Sequence, residues 1–101
     1  MTKPGGLTKL SSGERAVQRQ IVDGLRARNY EVIITHDAKH KPVHIGITDL
    51  IVPIMCGVMF IEVKGEGGRV SEEQLSFLAR MRALGHVAIV ARNWDDVERQ
   101  L

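Results

Sequence analysis

The sequence holds a single cysteine, Cys56, so no internal disulfide can form, which agrees with a reducing compartment. No apolar run approaches the roughly 18 to 20 residues of a membrane span. The opening Met1-Thr2-Lys3-Pro4-Gly5-Gly6 leads into polar sequence with no secretory h-region. Together these absences lead us to expect an intracellular, cytoplasmic protein that does not engage a membrane. Charge of one sign is also scarce: 14 Lys and Arg stand against 12 Asp and Glu, a formal net charge of +2. That balance tolerates a nucleic-acid partner without requiring one. There are no internal repeats or low-complexity segments, and no shift in composition divides the chain. With 101 residues, 44% hydrophobic and 26% charged, we expect a loose tail over residues 1–10 and one globular domain over 11–101.

Local patterns supply the elements. Ser11-x-x-Glu14 reads as a capping box opening a helix of about four turns. Val17, Ile21 and Leu25 form its apolar stripe, and Asn29 is its stop. Tyr30–Thr35 is β-branched and aromatic, hence a strand. Residues 36–46 are polar, carry Pro42 and Gly46, and read as a loop. Ile47–Pro53 and Val58–Lys64 read as two strands joined by the four-residue loop 54–57, apolar on both faces and therefore covered on each side. Ser71-x-x-Gln74 is a second capping box, opening a helix through Leu84 with Leu75, Leu78 and Met81 or Arg82 inward, ended by Gly85. His86–Ala91 is a buried strand, and Asn93 caps a short final helix carrying Asp95 and Asp96 in its first turn. The order α-β-β-β-α-β-α predicts an α/β fold with a mixed central sheet flanked by helices. The first three strands should form an antiparallel meander, and the strand–helix–strand unit should be parallel with a right-handed crossover.

The hairpin carries the chemistry. A loop over 54–57 puts Pro53 opposite Val58, Ile51 opposite Phe60, and Asp49 opposite Glu62. Directly opposed residues share a face with Cβ atoms roughly 4.5–5.5 Å apart. Two carboxylates so placed repel each other, and a divalent cation between them removes the penalty. Oxygen ligands favour Mg²⁺ or Mn²⁺ over zinc. The inference depends on register, since a slip of one residue sends one carboxylate to the other face. The two-residue period puts Lys64 on the face of Glu62, where it could be a plain salt bridge or could hold a water and stabilise charge on a phosphate. Glu-x-Lys alone is weak, arising by chance in roughly a third of chains this long. Its placement at the end of a buried strand, opposite an aspartate and before a glycine turn and a helix, strengthens it.

Gly46-x-x-Asp49, Phe60-Ile61-Glu62-Val63-Lys64 and Gly68-x-x-Ser71-x-x-Gln74, with Glu14 and Gln18 upstream, resemble the VRR-NUC branch of the PD-(D/E)XK nucleases. The resemblance covers about residues 12–97 and implies a restriction-endonuclease-like αβββαβ core. It implies a Mg²⁺- or Mn²⁺-dependent deoxyribonuclease that hydrolyses phosphodiester bonds in DNA. Asp49, Glu62 and the Val63 backbone carbonyl would bind the metal, with Glu14 acting through a metal-bound water. Lys64 would position the attacking water, and Gln74 would steady Lys64 or the scissile phosphate. Stand-alone copies resemble bacterial or viral homodimers that cut branched DNA such as four-way (Holliday) junctions. One departure is Thr48, which stands where the superfamily label has a proline that the VRR-NUC branch commonly lacks.

Plainer readings compete. Glu14 and Gln74 each stand at the N3 position of a capping box, which alone accounts for them. His36, His40 and His44 recur every fourth residue, but Pro42 opposes a helix that would align them for zinc. A loop meeting DNA backbone with Lys39 and Lys41 fits that segment better. Arg69, Arg80, Arg82 and Arg92 fall where phosphates could be met, or form an ordinary solvated surface. His86 reads as structural and Trp94 as packing on the core. Glu66-Gly67-Gly68 lacks a following Walker lysine-serine pattern and reads as a turn. A non-catalytic nucleic-acid-binding module, or a subunit that cuts only with a partner protein, remains as an alternative to the endonuclease.

Overall fold

In the computed structural model, residues 12–36, 39–40 and 43–101 are described. The tail over 1–10, the Ser11 side of the first capping box, and Lys41 and Pro42 in the loop lie outside these residues. The elements run α1 (Ser12–Ala27), β1 (Ile33–Ile34), β2 (Leu50–Ile54), β3 (Gly57–Val63), α2 (Glu72–Ala83), β4 (Val87–Ala91) and α3 (Trp94–Glu98). This is the expected order.

The helices end by the expected chemistry. Asn29 adopts φ 67°, and Tyr30 N–H donates to the Leu25 carbonyl while Asn29 N–H donates to that of Arg26. That pair of bonds is a Schellman stop, with asparagine tolerating the left-handed turn. Gly85 does the same for α2 at φ 94°, with His86 N–H reaching Met81 and Gly85 N–H reaching Arg82. Both bonds of the Ser71/Gln74 capping box are present, and Asn93 caps α3 through Asp96 N–H.

One mixed sheet runs β1-β2-β3-β4, antiparallel across the first two pairings and parallel between β3 and β4. On one face α1 and α3 close a core of Ile21, Leu25, Leu50, Val52, Met59, Ile61, Val63, Ala91 and Val97. Trp94 packs against this core and over Gly24, where an added Cβ would come within 2.6 Å of its ring. On the other face Phe77 and Leu78 of α2 are buried, with Phe60 edge-on to Phe77 at 5.3 Å between centroids. Among the described residues no helix is long and apolar enough to cross a membrane.

Five expectations need correction. The strand expected over Tyr30–Thr35 shrinks to Ile33–Ile34, because only Leu50 and Ile51 are there to pair with it. The strand expected from Ile47 begins at Leu50, and the turn is Met55-Cys56 rather than four residues, since Ile54 pairs with Gly57. Cys56 takes the left-handed position of that turn, at φ 66°. Nor is β2 covered on both sides: Pro53 is exposed and Ile51 only half-buried. Leu75 is 53% exposed, and Phe77 takes the inward place beside Leu78. The reason is rotational: Gln74 is turned onto the sheet, so 74, 77, 78 and 81 form the inner stripe, and Leu75, about 100° further round, faces out.

Candidate active site

The error in loop length leaves the faces unchanged, because a two-residue difference preserves parity. Ile51 pairs with Phe60 and Leu50 with Ile61, so the register carried one residue further sets Asp49 against Glu62. Regular pairing stops there. Carried two residues it would put Thr48 opposite Val63, but the Thr48 carbonyl is turned to the Thr35 hydroxyl at 2.8 Å. Asp49 takes its place: Val63 N–H donates to Asp49 Oδ2 at 2.8 Å. The carboxylate is thereby fixed by backbone. Thr48, wholly buried, is pinned by its own hydroxyl on the Leu50 carbonyl at 3.0 Å. Because N–H and C=O of one strand residue point the same way, the Val63 carbonyl projects on the same edge as Asp49.

Glu62 is 2% exposed. Its Oε2 accepts from Gln74 Nε2 at 2.8 Å and lies 3.5 Å from Lys64 Nζ. Its Oε1 is buried with no hydrogen-bond partner. An unmet buried carboxylate oxygen is costly in an apolar sheet, and a bound cation is the group that would satisfy it. Burial, and then the neighbouring Asp49 charge, push the Glu62 carboxyl up to about 8, with Lys64 opposing the rise. Burial likewise raises Asp49, against the Val63 N–H and His36, which lower it. Two acids held away from their charged forms describe a site built for positive charge.

Gln74 therefore performs both tasks read from sequence. Its Oε1 accepts from Ser71 N–H at 2.9 Å, and its Nε2 holds Glu62. Glu14 comes to the site from α1, whose first turn abuts the glycine turn after Lys64. A Cβ on Gly68 would stand 3.2 Å from Glu14 Oε2 and 3.5 Å from Lys64 Cδ, and one on Gly65 would press Glu14 N at 3.3 Å. These two glycines let the helix start and the lysine share one corner. Arg92 braces the same turn through Nη1 on the Gly65 carbonyl at 2.8 Å. Gly46 fits against α2 for a similar reason: at φ 85°, a Cβ there would meet the Glu73 carbonyl at 2.6 Å.

The structure thus gathers Asp49, Glu62, Lys64 and Gln74 on the α2 side of the sheet, with Glu14 beside Gly68. His36 also arrives, its Nε2 3.6 Å from Asp49 Oδ1, a neighbour the sequence reading missed by taking the histidines as a series. A signal existed, since His36 lies two residues beyond β1 and Asp49 directly precedes β2, the strand that pairs with it. His44 stacks edge-on to Phe77 at 5.7 Å, and His86 accepts from Val58 N–H at the far end of β3. Of the arginines expected to meet phosphate, Arg80 bonds the Ser76 hydroxyl and Arg82 the Ala88 carbonyl. Among the described residues no three His, Cys, Asp or Glu side chains already close into a ligand cage. Two open surface concavities, of about 410 and 370 Å³, lie along α1 and beside Ile45 and α2, and neither is lined by Asp49 or Glu62.

The oxygen-rich donor set and the orphaned Glu62 oxygen fit a hard divalent cation. The family model for the VRR-NUC domain matches residues 6–94, nearly the whole chain. Neither the curated proteins nor the solved structures gave a match.

Proposed function

The chain belongs to the VRR-NUC family of PD-(D/E)XK nucleases, and on that premise we propose that it is a metal-dependent DNA endonuclease acting as a homodimer on branched DNA such as four-way junctions. The observation that carries the metal-dependent reading is the buried Asp49–Glu62 pair with Glu62 Oε1 unmet. Asp49, Glu62 and the Val63 carbonyl would hold Mg²⁺ or Mn²⁺, with Glu14 contributing through a water. Such a cation, when bound, supplies Lewis acidity toward a phosphate oxygen and eases deprotonation of water.

The chain's own groups supply the rest. Lys64 Nζ, tethered near Glu62 Oε2, orients the attacking water and faces the charge that grows on the phosphate. Water forms one bond to phosphorus as the bond to the sugar oxygen breaks, and that oxygen takes up a proton, with no covalent enzyme intermediate. Gln74 keeps Glu62 Oε2 occupied, which leaves Oε1 as the free donor. The backbone bond from Val63 does the same for Asp49, occupying Oδ2 and leaving Oδ1. A protein that only bound nucleic acid would gain nothing from two carboxylates facing phosphate. A two-fold dimer matches a two-fold junction most simply, one active site per strand cut.

The test is cleavage of labelled four-way junction, flap, single-stranded and plain duplex DNA with Mg²⁺, Mn²⁺ or EDTA. Paired symmetric cuts in the junction, absent with EDTA, are expected. Cleavage of plain duplex alone would remove the junction preference. No cleavage of any substrate would favour a binding module, unless an added partner protein restored it.

A further inference from the structure

Asp49 directly precedes β2, and Thr35 directly follows β1. Thr35 N–H donates to the Asp49 carbonyl at 3.0 Å, one residue past the last β1–β2 pair, Ile34 and Leu50. Its hydroxyl has one hydrogen to give. The Thr48 carbonyl, at 2.8 Å, is nearer Oγ1 than His36 Nδ1 at 3.1 Å or the Asp49 carbonyl at 3.2 Å, so that hydrogen goes to Thr48. Thr35 thus grips both peptide groups that flank the Asp49 Cα, the one entering it and the one leaving it. With both peptide planes held, the direction of the Asp49 side chain is set, and its Oδ2 meets Val63 N–H at 2.8 Å. Thr48 is wholly buried, and its own hydroxyl is spent on the Leu50 carbonyl. Removing the Thr35 hydroxyl would take a donor from the Thr48 carbonyl, and the peptide entering Asp49 would turn to replace it.

We propose that Thr35 is a positioning residue for Asp49: its hydroxyl and N–H lock the two flanking peptides, which keeps Oδ2 on Val63 and Oδ1 available for the chemistry. The inference rests on the nuclease reading of the site. A reacting carboxylate has to be held within about 0.5 Å of its productive geometry, and that requires a supporting shell. Strand propensity does not explain the residue, since valine would serve a strand as well. Only the hydroxyl reaches the Thr48 carbonyl, so valine and serine at this position separate shape from hydrogen bonding.

The experiment compares wild type, Thr35→Val and Thr35→Ser by ¹H–¹⁵N NMR in EDTA and by cleavage kinetics on the DNA that the wild type cuts. In Thr35→Val the Val63 amide signal should move toward its position in Asp49→Ala and exchange with solvent at least about 10-fold faster. The kcat should fall at least about 10-fold while KM stays within about 3-fold. Thr35→Ser should restore the signal, the exchange rate and kcat. A Val63 amide unchanged in Thr35→Val, or a kcat loss that serine does not restore, overturns the positioning role alone. In the wild type the Thr35 hydroxyl proton should be visible in slow exchange; a hydroxyl averaged with water overturns the role even where Thr35→Val fails to fold. A wild type that cuts no DNA with Mg²⁺ or Mn²⁺ overturns the nuclease reading, and the catalytic role of Thr35 with it.

Discussion

Met59, Ile61 and Val63 point from β3 into the layer made by α1 and α3, and each is at most 1% exposed. Phe60, Glu62 and Lys64 point from the same stretch of backbone toward α2. Glu62 is as dry as its apolar neighbours, yet it keeps one oxygen unmet. The same degree of burial therefore does opposite things on the two faces. On one it stabilises through apolar contact; on the other it holds a carboxyl away from its charged form until a cation arrives. Substitutions on alternate residues of one strand should separate stability from activity, and that expectation can be broken.

Glu62→Gln should give the largest effect. The substituted amide keeps an oxygen for Gln74 and loses the charge, so cleavage should fall at least about 10³-fold. Melting temperature in EDTA at pH 8 should rise by several degrees, because a buried charge has been removed. Activity retained within tenfold would remove Glu62 from the chemistry and reduce the contrast between the faces to chance. Ile61→Ala, one residue away, should do the reverse. Truncating a fully buried isoleucine typically costs about 2–5 kcal/mol. The melting temperature should drop by roughly 10 °C or more, while the protein that remains folded cuts at near the original rate. A comparable loss of specific activity in folded Ile61→Ala would show that the two faces are not separable.

How far the contrast was legible beforehand depends on which forces set each residue. Alternation placed Asp49, Glu62 and Lys64 on one face, and it survived a wrong loop length because the Met55-Cys56 turn differs from the expected one by two residues. The capping box placed Gln74 at the start of α2, but not the rotation that turns it onto Glu62 and pushes Leu75 outward. That rotation is set by packing of Phe77 on Phe60 across the layers. The shortness of β1 was equally hidden: Tyr30–Thr35 has strand propensity throughout, but a ladder needs a partner, and β2 offers two residues. His36 was masked by its own series. Its position depends on Thr35 holding the Thr48 and Asp49 carbonyls, a contact across 13 and 14 residues that no local pattern encodes.

A pH titration sharpens the comparison next. Glu62 is raised from 4.5 to about 8 in the folded protein, so the folded state holds its proton more tightly than the unfolded chain. Its contribution is fully present below about pH 4.5 and is lost as pH rises through 8. Asp49 is shifted in the same direction. In EDTA the melting temperature should therefore decline from about pH 5.5 to about pH 8.5, and Mn²⁺ should offset the decline most at the upper end, where the carboxylates are bare. In Glu62→Gln the slope should be shallower. An identical slope in both proteins would assign the pH dependence elsewhere.

The smallest effect belongs to Gln74, which bridges capping and chemistry. Gln74→Ala loses the reciprocal bond to Ser71 N–H and the bond to Glu62 together, so a drop of about 1 kcal/mol in stability and roughly tenfold in cleavage is expected. That variant alone cannot apportion the two. Gln74→Glu can, because glutamate serves at this position of a capping box but has no N–H to give Glu62 and adds a third carboxylate beside it. Cleavage should fall further than in Gln74→Ala, with the Mn²⁺-free protein losing stability at about pH 8 and little at about pH 5.5. If Gln74→Glu instead cleaves like the wild type, Gln74 is a helix cap whose contact with Glu62 is incidental. The free oxygen of Glu62 would then owe its place to Lys64 alone.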